Sequence, residues 1–289
     1  MVNLSEYTVN EKPQWCPGCG DYAIVTALKQ AFTELSIENY EAVVVSGIGC
    51  GSKLPHYIRT YGYESIHGRL IPTAEGVKLA NHKLTVVGIG GDGDGFSEGT
   101  NHFIHAARRN NDINYFVQDN HIYALTTGQV SPTTPKGTKT KTTLNGSPIS
   151  PLKPIPTALI AGATFVASTF AGNIVHMKEV MKKAIQHNGF SFVDIYQPCV
   201  SWNKVNTYEW YRERVYDLQE QNHDITNMSQ AMEKGMEMYK TNYEKIPIGV
   251  FYQDTTTKSF WQNYEALQKE PLIKQNLKRD MFADFKKFM

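Results

Sequence analysis

The sequence predicts an α/β protein in which helices cover both faces of a doubly wound parallel sheet. Apolar, β-branched runs bounded by glycine alternate along the chain with amphipathic helical patterns, an order typical of such a sheet. The apolar runs are continuous rather than interrupted by polar residues, so we expect strands buried on both faces. The predicted strands are residues 42–49, 84–91, 113–119, 190–196 and 246–252, and the predicted helices are residues 22–35, 99–110 and 173–187.

The length of 289 residues is enough for one large domain with an appendage. We expect residues 1–205 to form one binding domain, and residues 206–289, which are richer in charge, to form a C-terminal extension that packs on it. Residues 131–156 interrupt the pattern with six prolines, six threonines and four lysines. This composition predicts either a solvated connecting loop or a functional flap or subunit-docking arm.

The charge balance excludes some classes of partner. The 29 basic and 28 acidic residues leave a net charge of +1, which gives no support for binding to nucleic acid or to an anionic membrane. The first residues include acidic side chains and lack the apolar stretch of a signal peptide, and no apolar run approaches the roughly 18 residues of a membrane span. We therefore expect a cytoplasmic protein whose partners are proteins or small molecules.

A glycine loop at residues 88–95, GIGGDGDG, follows a predicted strand and precedes a predicted helix. Its glycines fit the G-x-G-x-x-G dinucleotide fingerprint, but Asp92 and Asp94 fall where the anionic diphosphate of such a cofactor is expected. A divalent cation removes this repulsion, because Mg²⁺ binds carboxylate, amide and phosphate oxygens together. Asn120, at the end of the next predicted strand, supplies a second oxygen ligand. The alternative is a glycine turn with a capping aspartate.

All four cysteines of the chain are candidate metal ligands, because structural disulfides are rare in a reducing compartment. Cys16 and Cys19 form a C-x-x-C motif, and Cys50 and Cys199 lie far along the chain. By spacing alone, the set fits either a zinc site or an iron-sulfur cluster. Cys50 follows the first long predicted strand, at the edge of a parallel sheet where ligands bind. A metal held by Cys50 is therefore expected close to the site of the glycine loop.

Several motifs, in the same order along the chain, resemble the β subunit of 2-oxoacid:ferredoxin oxidoreductases. The spacing of Gly91-Asp92-Gly93 and Asn120, with 26 residues between them, is similar to that of the metal motif in thiamine-diphosphate enzymes. The resemblance extends from about residue 10 to residue 215 and implies a sheet of the thiamine-diphosphate-binding type. Its motifs are WCPGCGDY, SGIGCGSKLPHY, HGRLIPTAEGVKLAN, GDGDGFSEGTNHFIHAARRN, DNHIYALTTGQVSPTT and GFSFVDIYQPCVSWNKVNTYEWYRER.

The resemblance implies three cofactors. It predicts one [4Fe-4S] cluster on Cys16, Cys19, Cys50 and Cys199, which uses every cysteine of the chain. It predicts Mg²⁺ on Asp92, Asn120 and the backbone carbonyl of Ile122. The expected contacts of thiamine diphosphate are Ile48, Gly49, Cys50, Gly51, His67, Gly93, Asp94, Ala124 and Leu125, with His67 as a donor to a diphosphate oxygen.

The resemblance also implies the reaction. Together with an α subunit, such a β subunit oxidatively decarboxylates 2-oxo acids to acyl-CoA and CO₂ and passes the electrons to ferredoxin. We expect the α subunit to supply the carboxylate that activates the aminopyrimidine of thiamine. Lys53 and Arg69 are candidate anchors for the substrate carboxylate or for coenzyme A.

Two positions bear on the choice of 2-oxo acid. Leu125 stands where pyruvate-specialised members of the family carry Asn, and Thr127 stands where some members that favour 2-oxoglutarate carry Lys. We therefore expect a broad range that includes pyruvate, 2-oxobutyrate and 2-oxoglutarate. Two other classes stay open on the sequence alone: a non-oxidative thiamine-diphosphate decarboxylase, and a metal protein that serves only electron transfer or structure.

Overall fold

An eight-stranded sheet organises the computed structural model, which describes residues 2–276 and residue 286 of the chain. The strands are β1 (Ala42–Ser46), β2 (Tyr61–Glu64), β3 (Thr85–Gly91), β4 (Asn114–Asp119), β5 (Ile122–Tyr123), β6 (Gln129–Val130), β7 (Phe165–Phe170), β8 (Ser191–Tyr196), β9 (Val215–Asp217) and β10 (Ile246–Gln253). The α-helices are α1 (Asp21–Glu34), α2 (Leu70–Ala80), α3 (Asp92–Phe96), α4 (Thr100–Arg109), α5 (Pro154–Ile160), α6 (Ile174–Gln186), α7 (Tyr208–Arg212), α8 (Met228–Lys240) and α9 (Glu265–Lys269). Short 3₁₀ helices cover Leu4–Tyr7, Gly51–Tyr57, Gln219–Gln221, Phe260–Asn263 and Leu272–Lys274.

The strand order of the large sheet is β2-β1-β3-β4-β8-β7-β10-β9, and β5 and β6 form a separate antiparallel hairpin. Neighbouring strands from β2 to β7 in this order are all parallel, whereas β10 runs antiparallel to β7 and parallel to β9. The predicted α/β class is therefore confirmed, with one reversed edge. That edge is built from residues after 205, so the proposed extension adds strands to the sheet. The division at residue 205 stays a prediction, and residues 277–285 and 287–289 of the extension lie outside the described part of the chain.

Helices pack on both faces of the sheet because successive strand residues point to opposite sides. In β1, Val44 faces the layer of α1 and α6, whereas Val43 and Val45 face the layer that contains α2, α4, α5 and α8. The second layer holds a cluster of aromatic rings from α4, β4 and β8, in which the ring centroids of Phe103 and Phe192 are 4.9 Å apart. These two apolar layers fix the strands, and the strands fix the loops that leave them.

The five predicted strands and the three predicted helices are present. The strands β2, β7 and β9 of the large sheet were not predicted. All four residues of the edge strand β2 are exposed, β7 carries Ser168 and Thr169 within its buried run, and β9 has only three residues, so none of them reads as a continuous apolar segment. Among residues 2–276, no helix combines the length and the apolar content needed to cross a membrane.

Candidate functional site

The functional residues lie where parallel strands end. β1, β3, β4 and β8 run in one direction, so the loops that follow them meet at one edge of the sheet. Cys50 follows β1, Asp92 follows β3, Asn120 follows β4 and Cys199 follows β8. After β1 the chain continues to β2 on one side of the sheet, whereas after β3 it continues to β4 on the other side. Such a switch point is the usual ligand position in an open α/β sheet.

One cavity at this edge, which we call the carboxylate cavity, contains Asp92 and Asp94. Every residue that the sequence predicts to contact thiamine diphosphate or Mg²⁺ lines it. These residues are Ile48, Gly49, Cys50, Gly51, His67, Asp92, Gly93, Asp94, Asn120, Ile122, Ala124 and Leu125. The structure thus brings together separate stretches of the chain, although the roles of the individual residues stay predictions.

Asp92 is a buried acid of the carboxylate cavity. Its side chain is 1% exposed, and its Oδ2 accepts hydrogen bonds from the hydroxyls of Ser131 and Thr133. Burial, with a smaller contribution from the charge of Asp119, raises the pKa of Asp92 to about 7. The buried carboxylate is therefore costly in the ionised form. A cation bound to it would relieve this cost.

Asn120 and Ile122 are held near Asp92 by a short turn. The Asn120 side chain accepts a hydrogen bond from the backbone N–H of Ile122, with 3.2 Å between Oδ1 and N. The backbone carbonyl of Asn120 accepts one from Nδ2 of Asn203 at 3.0 Å. The amide oxygen of Asn120 and the carbonyl of Ile122 are neutral oxygen ligands, so this set has the chemistry that Mg²⁺ prefers.

Asp94 connects two loops of the cavity. Its Oδ1 accepts hydrogen bonds from the backbone N–H of Ile48, at 2.9 Å, and of Gly68, at 2.8 Å. Burial raises the pKa of Asp94, and the two backbone donors lower it. The sequence predicts Asp94 as a cofactor contact. In the structure its carboxylate mainly joins the loop after β1 to the loop before α2, which the spacing of the residues does not reveal.

His67 lies at the rim of the carboxylate cavity with a side chain that is 36% exposed. Its Nδ1 is 2.8 Å from Oε2 of Glu98 and 3.6 Å from Oδ1 of Asp94. The imidazole therefore lies beside two carboxylates, and its buried Nδ1 has no hydrogen-bond partner among the described residues. This arrangement suits the donor role that the sequence predicts.

The cavity lining includes residues that the sequence does not identify, among them Gln118 and Tyr123. Gln118 ends in the cavity wall, and its buried amide nitrogen and oxygen both lack a partner among the described residues. A Cβ at Gly51 would lie only 1.3 Å from Oε1 of Gln118, so a larger residue at position 51 would displace this side chain. Tyr123 donates a hydrogen bond to the carbonyl of Gly93 at 3.1 Å. A polar residue within the apolar run before Asn120 is the signal that could have identified Gln118.

The second cavity, which we call the thiol cavity, contains all four cysteines and has a volume of about 240 Å³. The four thiols are free. Cys50, Asn120, Ala124, Leu125 and Gln197 line both cavities, so the two share a wall. The loop after β1 contributes Cys50 to this wall, and the segment after β4 contributes Asn120, Ala124 and Leu125. The cysteines therefore lie where the sequence predicts them, beside the carboxylate cavity.

Polar side chains surround the thiols. The Ser201 hydroxyl donates to Sγ of Cys16 at 3.0 Å, and the Cys19 thiol donates to Oδ2 of Asp21 at 3.2 Å. The Trp15 indole N–H donates to the Cys50 carbonyl at 2.7 Å. Burial, with a smaller effect of Asp21, raises the pKa of Cys50 to about 11. This thiol is therefore protonated in the metal-free protein, and a metal that displaces its proton would be needed to make it a thiolate.

The arrangement of the thiols can be compared with the geometry that a zinc ion requires. Zinc requires four donors at about 2.0–2.3 Å from one point. In the described part of the chain, no three His, Cys, Asp or Glu side chains converge closely enough to hold one metal ion. A cluster of several iron atoms spreads its four thiolates over a larger volume. The described residues therefore place four sulfur donors around one cavity without bringing three of them together at a single point.

The predicted substrate residues divide between the cavities and the surface. Lys53 and Thr127 line the thiol cavity, and Leu125 lines both cavities with 47% of its surface exposed. Arg69 instead contacts the ring of His102 on the exposed side of the protein. Lys53 is therefore better placed than Arg69 to reach a ligand at the shared wall.

Comparisons with known families agree with this geometry. Residues 47–195 match the family described as thiamine pyrophosphate enzyme, C-terminal TPP binding domain, and this range includes almost the whole lining of the carboxylate cavity. Residues 199–269 match the family that describes the C-terminal part of the pyruvate ferredoxin oxidoreductase beta subunit. The predicted fold of the thiamine-diphosphate-binding type is confirmed.

Individual relatives cover most of the chain. The 2-oxoacid:ferredoxin oxidoreductase subunit beta of Sulfolobus sp is 40% identical over 267 residues, which span 87% of this chain and 85% of the relative. The protein of the same name from Saccharolobus solfataricus is 42% identical over 260 residues, which span 86% and 84%. A solved 2-oxoglutarate:ferredoxin oxidoreductase from Magnetococcus marinus, with 2-oxoglutarate, coenzyme A and succinyl-CoA bound, aligns with a TM-score of 0.91 and 34% identity. The alignment covers 100% of this chain and 96% of the Magnetococcus marinus chain.

Replacing Asp94 should loosen two loops at once. In Asp94→Ala, the backbone N–H groups of Ile48 and Gly68 lose their common acceptor, so their hydrogen exchange should accelerate by about 10-fold or more. Asp254→Ala is the matched control, because Asp254 also accepts from two backbone N–H groups but lies in a distant turn. Unchanged exchange at Ile48 and Gly68 in the Asp94 variant would show that the loops are held by other contacts.

Proposed function

Because the chain belongs to the family of 2-oxoacid:ferredoxin oxidoreductase β subunits, we propose that it provides two adjoining cofactor sites to a CoA-dependent enzyme. This enzyme oxidatively decarboxylates a 2-oxo acid to acyl-CoA and CO₂ and releases two electrons, one at a time, to ferredoxin. The observation that carries the proposal is the wall shared by the carboxylate cavity and the thiol cavity. Electrons released in one cavity would have a short path into the other.

The carboxylate cavity would bind thiamine diphosphate through Mg²⁺. Asp92, Oδ1 of Asn120 and the carbonyl of Ile122 would hold the cation, which would in turn neutralise the buried charge of Asp92. Gly49 in the loop after β1 leaves room for a ligand against the backbone, and the unpaired amide of Gln118 offers it both a donor and an acceptor. When bound, thiamine diphosphate supplies the carbanion that attacks the 2-oxo carbon and the ring that takes up the electron pair left by CO₂.

The thiol cavity would hold one [4Fe-4S] cluster on its four cysteines. The fit rests on the donor set, since four thiols line one cavity. Trp15 fixes the backbone of Cys50, and Lys53 in the cavity wall supplies a positive charge near the thiolates. When bound, a cluster supplies a one-electron acceptor. The chain's part is to exclude water and to keep the acceptor beside the carboxylate cavity.

The comparisons favour this function over both alternatives. A non-oxidative thiamine decarboxylase has no use for four thiols around one cavity. A metal protein for electron transfer or structure has no use for Asp92 and Asn120 at the ends of neighbouring strands. The relatives that span most of the chain are oxidoreductase subunits.

A partner subunit is part of the proposal. The only acids that line the carboxylate cavity within the described residues are Asp92 and Asp94, and both already have other tasks. A third carboxylate, for the aminopyrimidine of thiamine, would come from the α subunit. Ferredoxin, coenzyme A and the cytoplasmic location belong to the same proposal, and the Magnetococcus marinus structure with bound coenzyme A supports the acyl acceptor.

The proposed substrates are pyruvate, 2-oxobutyrate and 2-oxoglutarate. Leu125 borders both cavities and presents an apolar surface, so it would tolerate 2-oxo acids that differ at the distal end. Thr127 brings no positive charge for a distal carboxylate, and Lys53 on the same cavity wall would replace it. The 2-oxoglutarate in the Magnetococcus marinus structure supports the longer substrate.

Replacing Asp92 tests the metal assignment. Asp92→Ala should weaken Mg²⁺-dependent binding of thiamine diphosphate by more than about 100-fold, because the variant loses a charged ligand of the cation. Binding is measured by titration calorimetry with the assembled αβ protein. Asp224→Ala, which removes an exposed carboxylate, should bind as the wild type does. Unchanged affinity in the Asp92 variant would refute the metal assignment.

The cysteines can be separated by their cavities. Cys50→Ser should lose the iron and also weaken thiamine diphosphate binding, because Cys50 lines both cavities. Cys16→Ser should lose the iron but keep the affinity for thiamine diphosphate, because Cys16 lines the thiol cavity alone. Iron, zinc and thiamine are assayed in protein purified without oxygen. Stoichiometric zinc with no iron in the wild type would contradict the cluster.

Leu125 tests the substrate proposal. In the αβ enzyme, Leu125→Asn should raise the ratio of kcat/KM for pyruvate to that for 2-oxoglutarate by about 2- to 10-fold, the effect of one added hydrogen bond of about 0.5–1.5 kcal/mol. Leu144→Asn is the control, since Leu144 is 74% exposed and lies outside both cavities. An unchanged ratio in the Leu125 variant would show that this position does not select the substrate.

A further inference from the structure

The proline- and threonine-rich segment 131–156, which we call the arm, begins inside the protein. Ser131, Thr133 and Thr134 are 8%, 2% and 2% exposed. The arm follows the β5–β6 hairpin, and its Thr134 hydroxyl donates to the carbonyl of His121 at 2.6 Å. Farther along, the backbone N–H of Leu152 donates to the carbonyl of Pro132 at 2.8 Å, so the arm closes back on its own start. A merely solvated connection does not need such an anchor.

Two hydroxyls of the arm donate hydrogen bonds to the same carboxylate oxygen in the carboxylate cavity. Both Ser131 and Thr133 donate to Oδ2 of Asp92, and the distance from Thr133 is 2.7 Å. Within the part of the chain that the structure describes, no group donates to the other oxygen, Oδ1. The arm therefore fixes the rotation of the carboxylate and leaves one oxygen for a ligand.

Thr133 also separates two buried acids. Its hydroxyl oxygen is 2.8 Å from Oδ1 of Asp119, as well as 2.7 Å from Oδ2 of Asp92. Asp119 has another donor, because the backbone N–H of His121 lies 3.0 Å from the same oxygen. Ser131 likewise gives Asp92 a second donor. The hydroxyl has one proton and donates to one carboxylate at a time, so it lies between the two acids and within hydrogen-bond distance of both.

We propose that Thr133, with Ser131, is a positioning residue for the metal-binding carboxylate, and that binding of the Mg²⁺–thiamine diphosphate pair orders the arm. This inference rests on the proposed function, since it takes Asp92 as the metal ligand. Mutation of a residue that hydrogen-bonds to a metal-ligating side chain typically changes the metal affinity by about 10- to 100-fold. Because linkage is reciprocal, whatever the arm adds to cofactor affinity, the bound cofactor adds to the stability of the arm.

The far part of the arm extends this linkage to the thiol cavity. Nζ of Lys141 lies 4.4 Å from the ring centroid of Trp202, and Trp202 lines the thiol cavity. One segment therefore contacts a residue of each cofactor site. Three lysines of the arm, Lys136, Lys139 and Lys141, are exposed and offer cleavage sites for trypsin. Their cleavage reports the order of the arm without any measurement of turnover.

The test uses Thr133→Val in the assembled αβ protein. This change keeps the shape of the side chain and removes its hydroxyl. The Mg²⁺ concentration that gives half-maximal thiamine diphosphate binding should rise by about 10- to 100-fold. Thr133→Ser should restore most of the affinity, because it restores the donor. Thr142→Val, an exposed threonine of the same arm, is the control and should behave as the wild type.

Trypsin provides the second readout. In the wild type, Mg²⁺ and thiamine diphosphate together should slow cleavage after Lys136, Lys139 and Lys141 by about 10-fold or more, and in Thr133→Val this protection should be lost at the same ligand concentrations. Strong Mg²⁺ dependence in the wild type, with the same dependence and the same protection in Thr133→Val, would overturn the inference and leave the proposed function intact. Absence of any Mg²⁺ dependence in the wild type would overturn both.

Discussion

The burial of the Asp92 carboxylate is the constraint on which the rest of the site depends. The residue is 1% exposed at the end of β3, and Thr133 bridges it to a second buried acid, Asp119. A buried charge is unfavourable unless it is neutralised, and the two hydroxyl donors and the nearby imidazole of His121 offset only part of the cost. A cation at the free oxygen would complete the neutralisation. The Asp92 carboxylate, whose burial is unfavourable in the metal-free protein, would thus favour binding of the cation.

The loop after β1 contributes Cys50 to the wall between the carboxylate cavity and the thiol cavity. It is fixed on one side by Asp94, which accepts from Ile48, and on the other by Trp15, which donates to the carbonyl of Cys50. Gly49 lies between these two hydrogen bonds, and Gly51 passes close to Gln118. A loop held at these two points can contribute Cys50 to the walls of two cofactor sites at once. Displacement of the loop would therefore affect both sites together.

Much of the fold can be predicted from the sequence, because apolar runs and helical patterns decide it locally. Three strands lack the expected pattern and are not predicted. The edge strand β2 is exposed, β7 contains buried hydroxyl side chains, and β9 has only three residues. The site depends on residues far apart in the chain. Local patterns identify Asp92, Asn120 and the cysteines as candidate ligands, and the resemblance of the motifs to a known family assigns them to particular cofactors. The hydrogen bonds of Asp94 to two loops, the unpaired amide of Gln118 and the anchoring of the arm arise only when the chain folds. No local pattern encodes them.

The most direct measurement follows the electrons. The αβ protein, loaded with thiamine diphosphate, Mg²⁺ and iron, is mixed without oxygen with a 2-oxo acid in the absence of coenzyme A and ferredoxin, and its visible absorbance is recorded. Because the two sites adjoin, we expect the 2-oxo acid to bleach the cluster absorbance. This bleaching should not occur when Mg²⁺ and thiamine diphosphate are left out. Release of CO₂ from the 2-oxo acid with no change in the cluster absorbance would contradict the coupling of the two cavities.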